Sequence, residues 1–392
     1  MSRPEACLPD AALVGVAHGR CSFGQNRLVL LTALLLVGGG VLLIGGAELL
    51  VRGASRLAIG VGISPLVVGL TVVAFGTSAP EFAVTLGAAY SGEPELALGN
   101  VVGSNIFNLL FILGLSAAIT PLLVDQKLVR VDVPIMIGAS FAAAALGLDG
   151  VVGRFDGTVL FAGIIGYTFL LIRQSRRESA SIQAEYEAAF GGEERRASHA
   201  AVNSLLIVTG LGLLTLGSNW LVTGAVAVAE ALGVSELVIG LTIVAAGTSL
   251  PEVATSVLAS LRGERDIAVG NLVGSNMFNL LGVLGLGGMV APEGIPVPPG
   301  ALTFDIPVMI GAAVAMLPIV FTNYTIARWE GLLLFGFYIA YTVFLILEAA
   351  EHPGLNEFSF AMQFFGLPLV ARTLGILSAR ALARSRRGAP QP

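Results

Sequence analysis

The chain has 392 residues, of which 55% are hydrophobic and only 12% charged, and its net charge is −5; the mean hydropathy is +0.86. Soluble domains carry about 25% charged residues, so this composition excludes a water-soluble globule and points to an all-α polytopic membrane protein with the lipid bilayer as its surroundings. Nucleic acid is excluded as a partner, because no basic patch interleaved with aromatics occurs. Zinc, copper and iron chemistry is excluded too, because His18, His199 and His352 all lie outside the apolar runs and form no His/Cys cluster.

Residues 1–27 are a mixed, weakly apolar extension that carries both cysteines, Cys7 and Cys21, either as free thiols or as a disulfide pair. Ten membrane spans are predicted after it, at 28–50, 63–90, 94–119, 131–148, 155–173, 203–229, 234–260, 265–290, 303–321 and 330–349. The first is too long for a signal-peptide core and is read as a true span. The polar stretch 174–202 is a linker between two five-span units, 28–173 and 203–349. The extension 350–392 contains an apolar-then-basic run, 358–387, interrupted by Pro368 and Arg372. An interfacial helix suits that run better than an eleventh span.

The two units are copies. Residues 69–115 and 240–286 align at a constant offset of 171 and are identical at 28 of 47 positions. Outside that core, GAELLVRGA (46–54) answers GSNWLVTGA (217–225), and DVPIMIGA (132–139) answers DIPVMIGA (305–312). Five is odd, so two copies in one chain enter the membrane in opposite senses. The expected architecture is therefore ten transmembrane helices as two inverted-topology five-helix repeats, an arrangement typical of secondary transporters. The loops after spans 1, 3, 5, 7 and 9 carry Arg52, Arg56, Lys127, Arg130, Arg173, Arg176, Arg177, Arg195, Arg196, Arg262, Arg265 and Arg328, whereas the other inter-span loops carry only Arg154. The positive-inside rule puts the first set in the cytoplasm and the N-terminus outside, in a plasma membrane.

The chemistry lies in Gly-Thr-Ser-x-Pro-Glu, found at 76–81 and 247–252. Pro80 and Pro251 interrupt apolar runs and release the carbonyls four residues earlier, those of Gly76 and Gly247, so the core helices are expected to be discontinuous. Lipid offers those carbonyls no partner, and a bound cation can be one. Thr77, Ser78 and Glu81, and Thr248, Ser249 and Glu252, lie at i, i+1 and i+4; Ser104 and Asn108, and Ser275 and Asn279, are four apart. All these donors are oxygens, which suit hard cations such as Na⁺ and Ca²⁺. A carboxylate at the bilayer centre costs at least ~2.5–3.5 kcal/mol on insertion scales. A cation or a proton must therefore neutralise the pair, and competition between them is what an antiporter requires. A kinked structural helix and a Glu that only bonds helix to helix are the plain readings of one copy; two intact copies favour a site. Gly99-x-x-x-Gly103 and Gly270-x-x-x-Gly274 read as packing faces, Asn105 and Asn276 as helix bridges, and Asp132 and Asp305 as helix-end acids.

At these residues the chain closely resembles the cation/calcium exchanger superfamily, in particular prokaryotic sodium/calcium exchanger-like proteins: GTSAPE with GNVVGSNIFN, and GTSLPE with GNLVGSNMFN, look like that family's two α-repeats. The resemblance implies ion ligands at Thr77, Ser78, Glu81, Ser104, Asn108, Thr248, Ser249, Glu252, Ser275 and Asn279, joined by the backbone carbonyls of Ala74 and Ala245. It implies alternating access by sliding of spans 1 and 6, no cofactor beyond the transported ions, and no enzymatic activity. The expected function is export of Ca²⁺ in exchange for Na⁺. Family members often have aspartate where Asn279 stands here, so Ca²⁺/H⁺ or monovalent cation/H⁺ exchange is the alternative, ahead of an ion channel or an intramembrane hydrolase. Oligomeric state is not legible.

Overall fold

A computed structural model describes residues 14–61, 63–91, 94–190, 196–233, 245–321 and 324–366, with 368, 372 and 375 beyond them. Its elements are α1 (Val14–Val61), α2 (65–77), α3 (Ala79–Ser91), α4 (94–119), α5 (128–146), α6 (Arg154–Phe190), α7 (Arg196–Ala231), α8 (Leu250–Leu261), α9 (265–290), α10 (301–321), α11 (Arg328–Ala349) and α12 (355–366). Apolar sequence of this length becomes helix because hydrocarbon leaves backbone N–H and C=O groups no partner but each other. Among the described residues, eight helices are long and apolar enough to cross a membrane. The pair Leu66–Thr77 and Ala79–Tyr90, bent by 44° at its junction, is long and apolar enough for a ninth when taken as one broken span. The expected span 234–260 falls partly on 234–244, outside the described residues; its second half is α8.

Three helices run past their expected ends, among them α7, which opens at Arg196 inside the expected linker. α6 has 37 residues and continues to Phe190, well into the stretch expected to be a polar linker. The segment QSRRESASIQAEYEAAF is rich in Ala, Glu, Gln and Arg, good helix formers whatever their polarity. α1 likewise starts at Val14, inside the expected extension. At the other end, α12 is a short helix after α11; most of the expected interfacial run lies outside the described residues.

The duplication is visible in irregularities as well as in helices. π-helical turns occur at Phe107–Ile112 in α4 and at the matching Phe278–Val283 in α9. A second pair occurs at Leu128–Asp132 and Ala301–Asp305, opening α5 and α10. Such π turns concentrate at functional positions. Four two-residue strands stitch the copies together: β1 (Leu122–Leu123) pairs antiparallel with β4 (Thr325–Ile326), and β2 (Val151–Val152) with β3 (Ile295–Pro296). Asp132 accepts from Tyr167 Oη (3.0 Å) and Asp305 from Tyr341 Oη (2.8 Å), tying α5 to α6 and α10 to α11. The two acids expected at helix ends thus sit inside the π turns and bond across helices.

The apolar core divides in two. The larger cluster runs through α4, α5, α6, α9, α10 and α11. The smaller gathers Leu43, Leu50, Val51 and Ala54 of α1 with Ile207 and Leu214 of α7, and with Ala259 and Ile267. α1 and α7 pack backbone to backbone: a Cβ added at Gly46 would lie 2.8 Å from the Gly210 carbonyl oxygen, and one at Gly39 2.8 Å from that of Gly217. Small residues permit such approaches in lipid, where contact rather than hydrophobicity holds helices together.

Candidate functional site

The site forms where the α2–α3 break meets the matching break before α8. Ser78 and Ser249 have near-identical non-helical backbones, φ −80°, ψ 6° and φ −90°, ψ 8°. The prolines are not helix-interior residues, as the sequence suggested. Pro80 and Pro251 are the second residues of α3 and α8, positions whose N–H has no acceptor in any helix, so proline is tolerated there without loss. The released Gly247 carbonyl accepts from Ser218 Oγ of α7 at 2.6 Å. A side chain is thus its partner.

The break turns each serine toward the carboxylate of the other copy. Ser78 Oγ donates to Glu252 Oε1 at 3.1 Å, and Ser249 Oγ donates to Glu81 Oε1 at 2.8 Å. Ser104 Oγ lies 3.4 Å from Ser249 Oγ. Both glutamates are 1% exposed. Thr77 Oγ1 donates to Asn271 Oδ1 at 3.1 Å, across the copies, and lies 3.4 Å from the Ala74 carbonyl oxygen. Thr248 Oγ1 answers with Asn100 Oδ1 at 3.5 Å. In the next layer Asn108 Nδ2 donates to Asn276 Oδ1 at 3.1 Å. Asn276 and Asn105 donate in turn to the sulfurs of Met136 (3.7 Å) and Met309 (3.8 Å). Asn105 and Asn276 therefore bridge helices, as expected.

Of the twelve residues singled out, Ala74, Thr77, Ser78, Glu81, Ser104, Asn108, Ser249, Glu252, Ser275 and Asn279 are buried, and Thr248 is half-buried. The Ala74 carbonyl accepts the Ser78 N–H at 3.0 Å. Ala245 opens a short turn, Ala245–Gly247, leading to the second break. Asn108 and Asn279 are each the second residue of a π turn.

Asn100 and Asn271 were missed. Asn100 Nδ2 donates to the Glu81 carbonyl (3.0 Å) and to Thr85 Oγ1 (2.9 Å), and Asn271 Nδ2 donates to Ser256 Oγ (3.1 Å). Each amide thus clamps α3 or α8 and receives a threonine hydroxyl from the other copy. The signal was present: both asparagines recur at the 171-residue offset, beside glycines that read as packing. Ser218 could not have been found by repetition, because its counterpart is Ala47.

Glu81 Oε2, Glu252 Oε2, Ser275 Oγ, Asn108 Oδ1 and both polar atoms of Asn279 have no hydrogen-bond partner among the described residues. Desolvating a carboxylate costs several kcal/mol even after relaxation, and one hydrogen bond to a charged group returns only ~1.5–3 kcal/mol. The unpartnered atoms are oxygens apart from one amide nitrogen, the donor set of a hard cation, and among the described residues no group of three or more His, Cys, Asp or Glu adds further charge.

Fold and site define a multi-pass helical membrane transporter of small cations. The family profile described as "Sodium/calcium exchanger protein" matches residues 31–173 and 202–347, and the chain belongs to that family. It is similar to the sodium/calcium exchanger MaX1 of Methanosarcina acetivorans, 30% identical over 301 residues that cover 69% of this chain and 85% of MaX1. It is similar also to the inner membrane protein YrbG of Escherichia coli, 37% identical over 238 residues covering 60% and 72%. Among solved structures, the sodium-calcium exchanger NCX_Mj soaked with 10 mM Na⁺ and zero Ca²⁺ superposes with a TM-score of 0.69, at 30% identity over 79% of this chain and 97% of that one.

Proposed function

We propose that the chain exports Ca²⁺ in exchange for Na⁺ by alternating access, with Glu81 and Glu252 as shared ligands. The observation that carries this reading is the reciprocal pair Ser78–Glu252 and Ser249–Glu81, which leaves one oxygen of each carboxylate without a hydrogen-bond partner among the described residues. Two carboxylates balance one Ca²⁺. Thr77, Ser78, Ser104, Asn108, Thr248, Ser249, Ser275 and Asn279 complete the oxygen set, with the carbonyls of Ala74 and Ala245. MaX1 and NCX_Mj are described as sodium/calcium exchangers, which supports the ion pair chosen.

In this reading the chain crosses the plasma membrane ten times, as two inverted five-helix repeats, with the N-terminus outside and 174–202 in the cytoplasm. The α1–α7 pair moves against the remainder, a reading supported by its close backbone packing through Gly39, Gly46, Gly210 and Gly217. The protein is a carrier and not an enzyme. A second reading rests on Asn279, which stands where a third carboxylate would help to balance several Na⁺: the same site then exchanges Ca²⁺ or a monovalent cation for H⁺. Flux through purified protein in liposomes, with Na⁺ and pH gradients imposed separately, decides. Calcium uptake driven by a Na⁺ gradient supports the first reading; uptake indifferent to Na⁺ and abolished by collapsing the pH gradient overturns it.

A further inference from the structure

The two copies differ on the far side of Glu252. Along α8, Thr255, Ser256 and Ser260 follow Glu252 at i+3, i+4 and i+8, one face of the helix. All are 0–1% exposed. Ser260 Oγ reaches the Ser116 backbone carbonyl of α4 at 3.5 Å, which brings Ser116, itself 0% exposed, against the end of this stripe. The matching positions of the first copy are Val84, Thr85 and Ala89, and Ser116 is matched by Gly287. There, a Cβ added at Gly287 would lie 3.7 Å from Thr85 Cγ2 but only 2.7 Å from Ile295 Cδ1, so an isoleucine fills the space that a hydroxyl takes in the other copy.

The Thr255 and Ser116 hydroxyls have no hydrogen-bond partner among the described residues. An unmet buried hydroxyl destabilises the fold, and valine or alanine would remove that penalty. Beyond the stripe stand Glu264 and Asp266, with Asp125 beside Asp266; Arg262, at the end of α8, is held by Glu48 of α1, which also pairs with Arg52.

We infer that Thr255, Ser256, Ser260 and Ser116 line the route by which the cation passes between Glu252 and one membrane face; at the four matching positions of the first copy a single hydroxyl, that of Thr85, remains. Hydroxyl oxygens replace part of the hydration shell of a hard cation as it leaves water. The route is closed here, and the helices must part to open it. The inference rests on the cation-carrier reading above, which places this face in the cytoplasm.

The test is sided labelling. Cysteines are introduced singly as S116C, T255C and S260C, with Cys7 and Cys21 replaced by alanine, in the full chain in liposomes. A membrane-impermeant charged thiol reagent is applied to one face at a time, and protease cleavage within 174–202 fixes the sidedness. All three should react from the face that carries 174–202, and calcium at about ten times its Kd should slow the reaction about tenfold by holding the loaded site closed. Resistance from both faces, reaction only from the opposite face, or reaction that calcium does not slow overturns the route. Labelling does not depend on exchange, so a protein that labels as stated but exchanges no Na⁺ sinks the antiport reading alone. A second measurement separates route from scaffold. T255V should leave the melting temperature unchanged or raised while calcium flux falls about tenfold, equivalent to ~1.4 kcal/mol, and T255S should keep its flux. Wild-type flux in T255V overturns the assignment.

Discussion

Replacing Glu252 with glutamine isolates charge from shape. The amide keeps the side-chain length and still accepts from Ser78 through its carbonyl oxygen, so the 3.1 Å bond survives while one negative charge is lost. At 1% exposure, solvent does little to screen the change. Glu81 alone then faces a divalent ion. Breaking a buried charge pair by removing one partner costs about 3–5 kcal/mol, and each 1.4 kcal/mol is a factor of ten, so calcium affinity should fall by roughly two to three and a half decades. The ligand-free protein should be no less stable, because a poorly compensated carboxylate has been removed. Isothermal titration with calcium and a thermal melt, on the same purified protein, measure both. The bonds of the two copies are reciprocal, so E81Q should behave alike. Calcium binding within about threefold of wild type in E252Q, under ~0.7 kcal/mol, refutes the shared-ligand reasoning.

N271A removes the amide that joins the Thr77 and Ser256 hydroxyls, and should lower the unfolding free energy by about 1–3 kcal/mol and weaken calcium binding, read by melting and titration; N100A should do the same through Thr248 and Thr85. N279D supplies a third carboxylate at a side chain that has no hydrogen-bond partner among the described residues, and should raise the number of Na⁺ ions coupled to each Ca²⁺, read from the potential at which flux reverses. S218A removes the donor to the Gly247 carbonyl and should destabilise the protein by about 1–3 kcal/mol, visible in a melt of ligand-free protein. G46V sets a branched side chain against the Gly210 backbone, and should separate α1 from α7 and abolish monodisperse elution in detergent.

Much of the site was legible because it is written twice. The sequence alone marks Glu81 with Glu252, Ser78 with Ser249, and Asn108 with Asn279, and the structure buries every one of them. Three features were hidden, each for a physical reason. The exact position of the backbone break was hidden because a proline in an apolar run looks like a kink, whereas new helices open at Ala79 and Leu250, directly after Ser78 and Ser249, with Pro80 and Pro251 as their second residues. The crossing of each serine to the other copy's glutamate depends on how two copies meet, which no local spacing encodes. Asn100 and Asn271 act through amide bonds across the same junction and were masked by neighbouring glycines. Helix ends suffered differently: 174–190 is polar yet helical, because helix propensity and hydropathy are separate properties.

The central claim is that Na⁺ and Ca²⁺ compete for one pair of carboxylates. Its most direct test is uptake of radiolabelled calcium into liposomes that contain only the purified chain and are loaded with Na⁺, K⁺ or buffered protons, one at a time. The account predicts saturable uptake that requires internal Na⁺, persists when a protonophore clamps the pH gradient at zero, and disappears in E81Q and E252Q. Uptake that ignores internal Na⁺ and stops when the pH gradient is collapsed would contradict it.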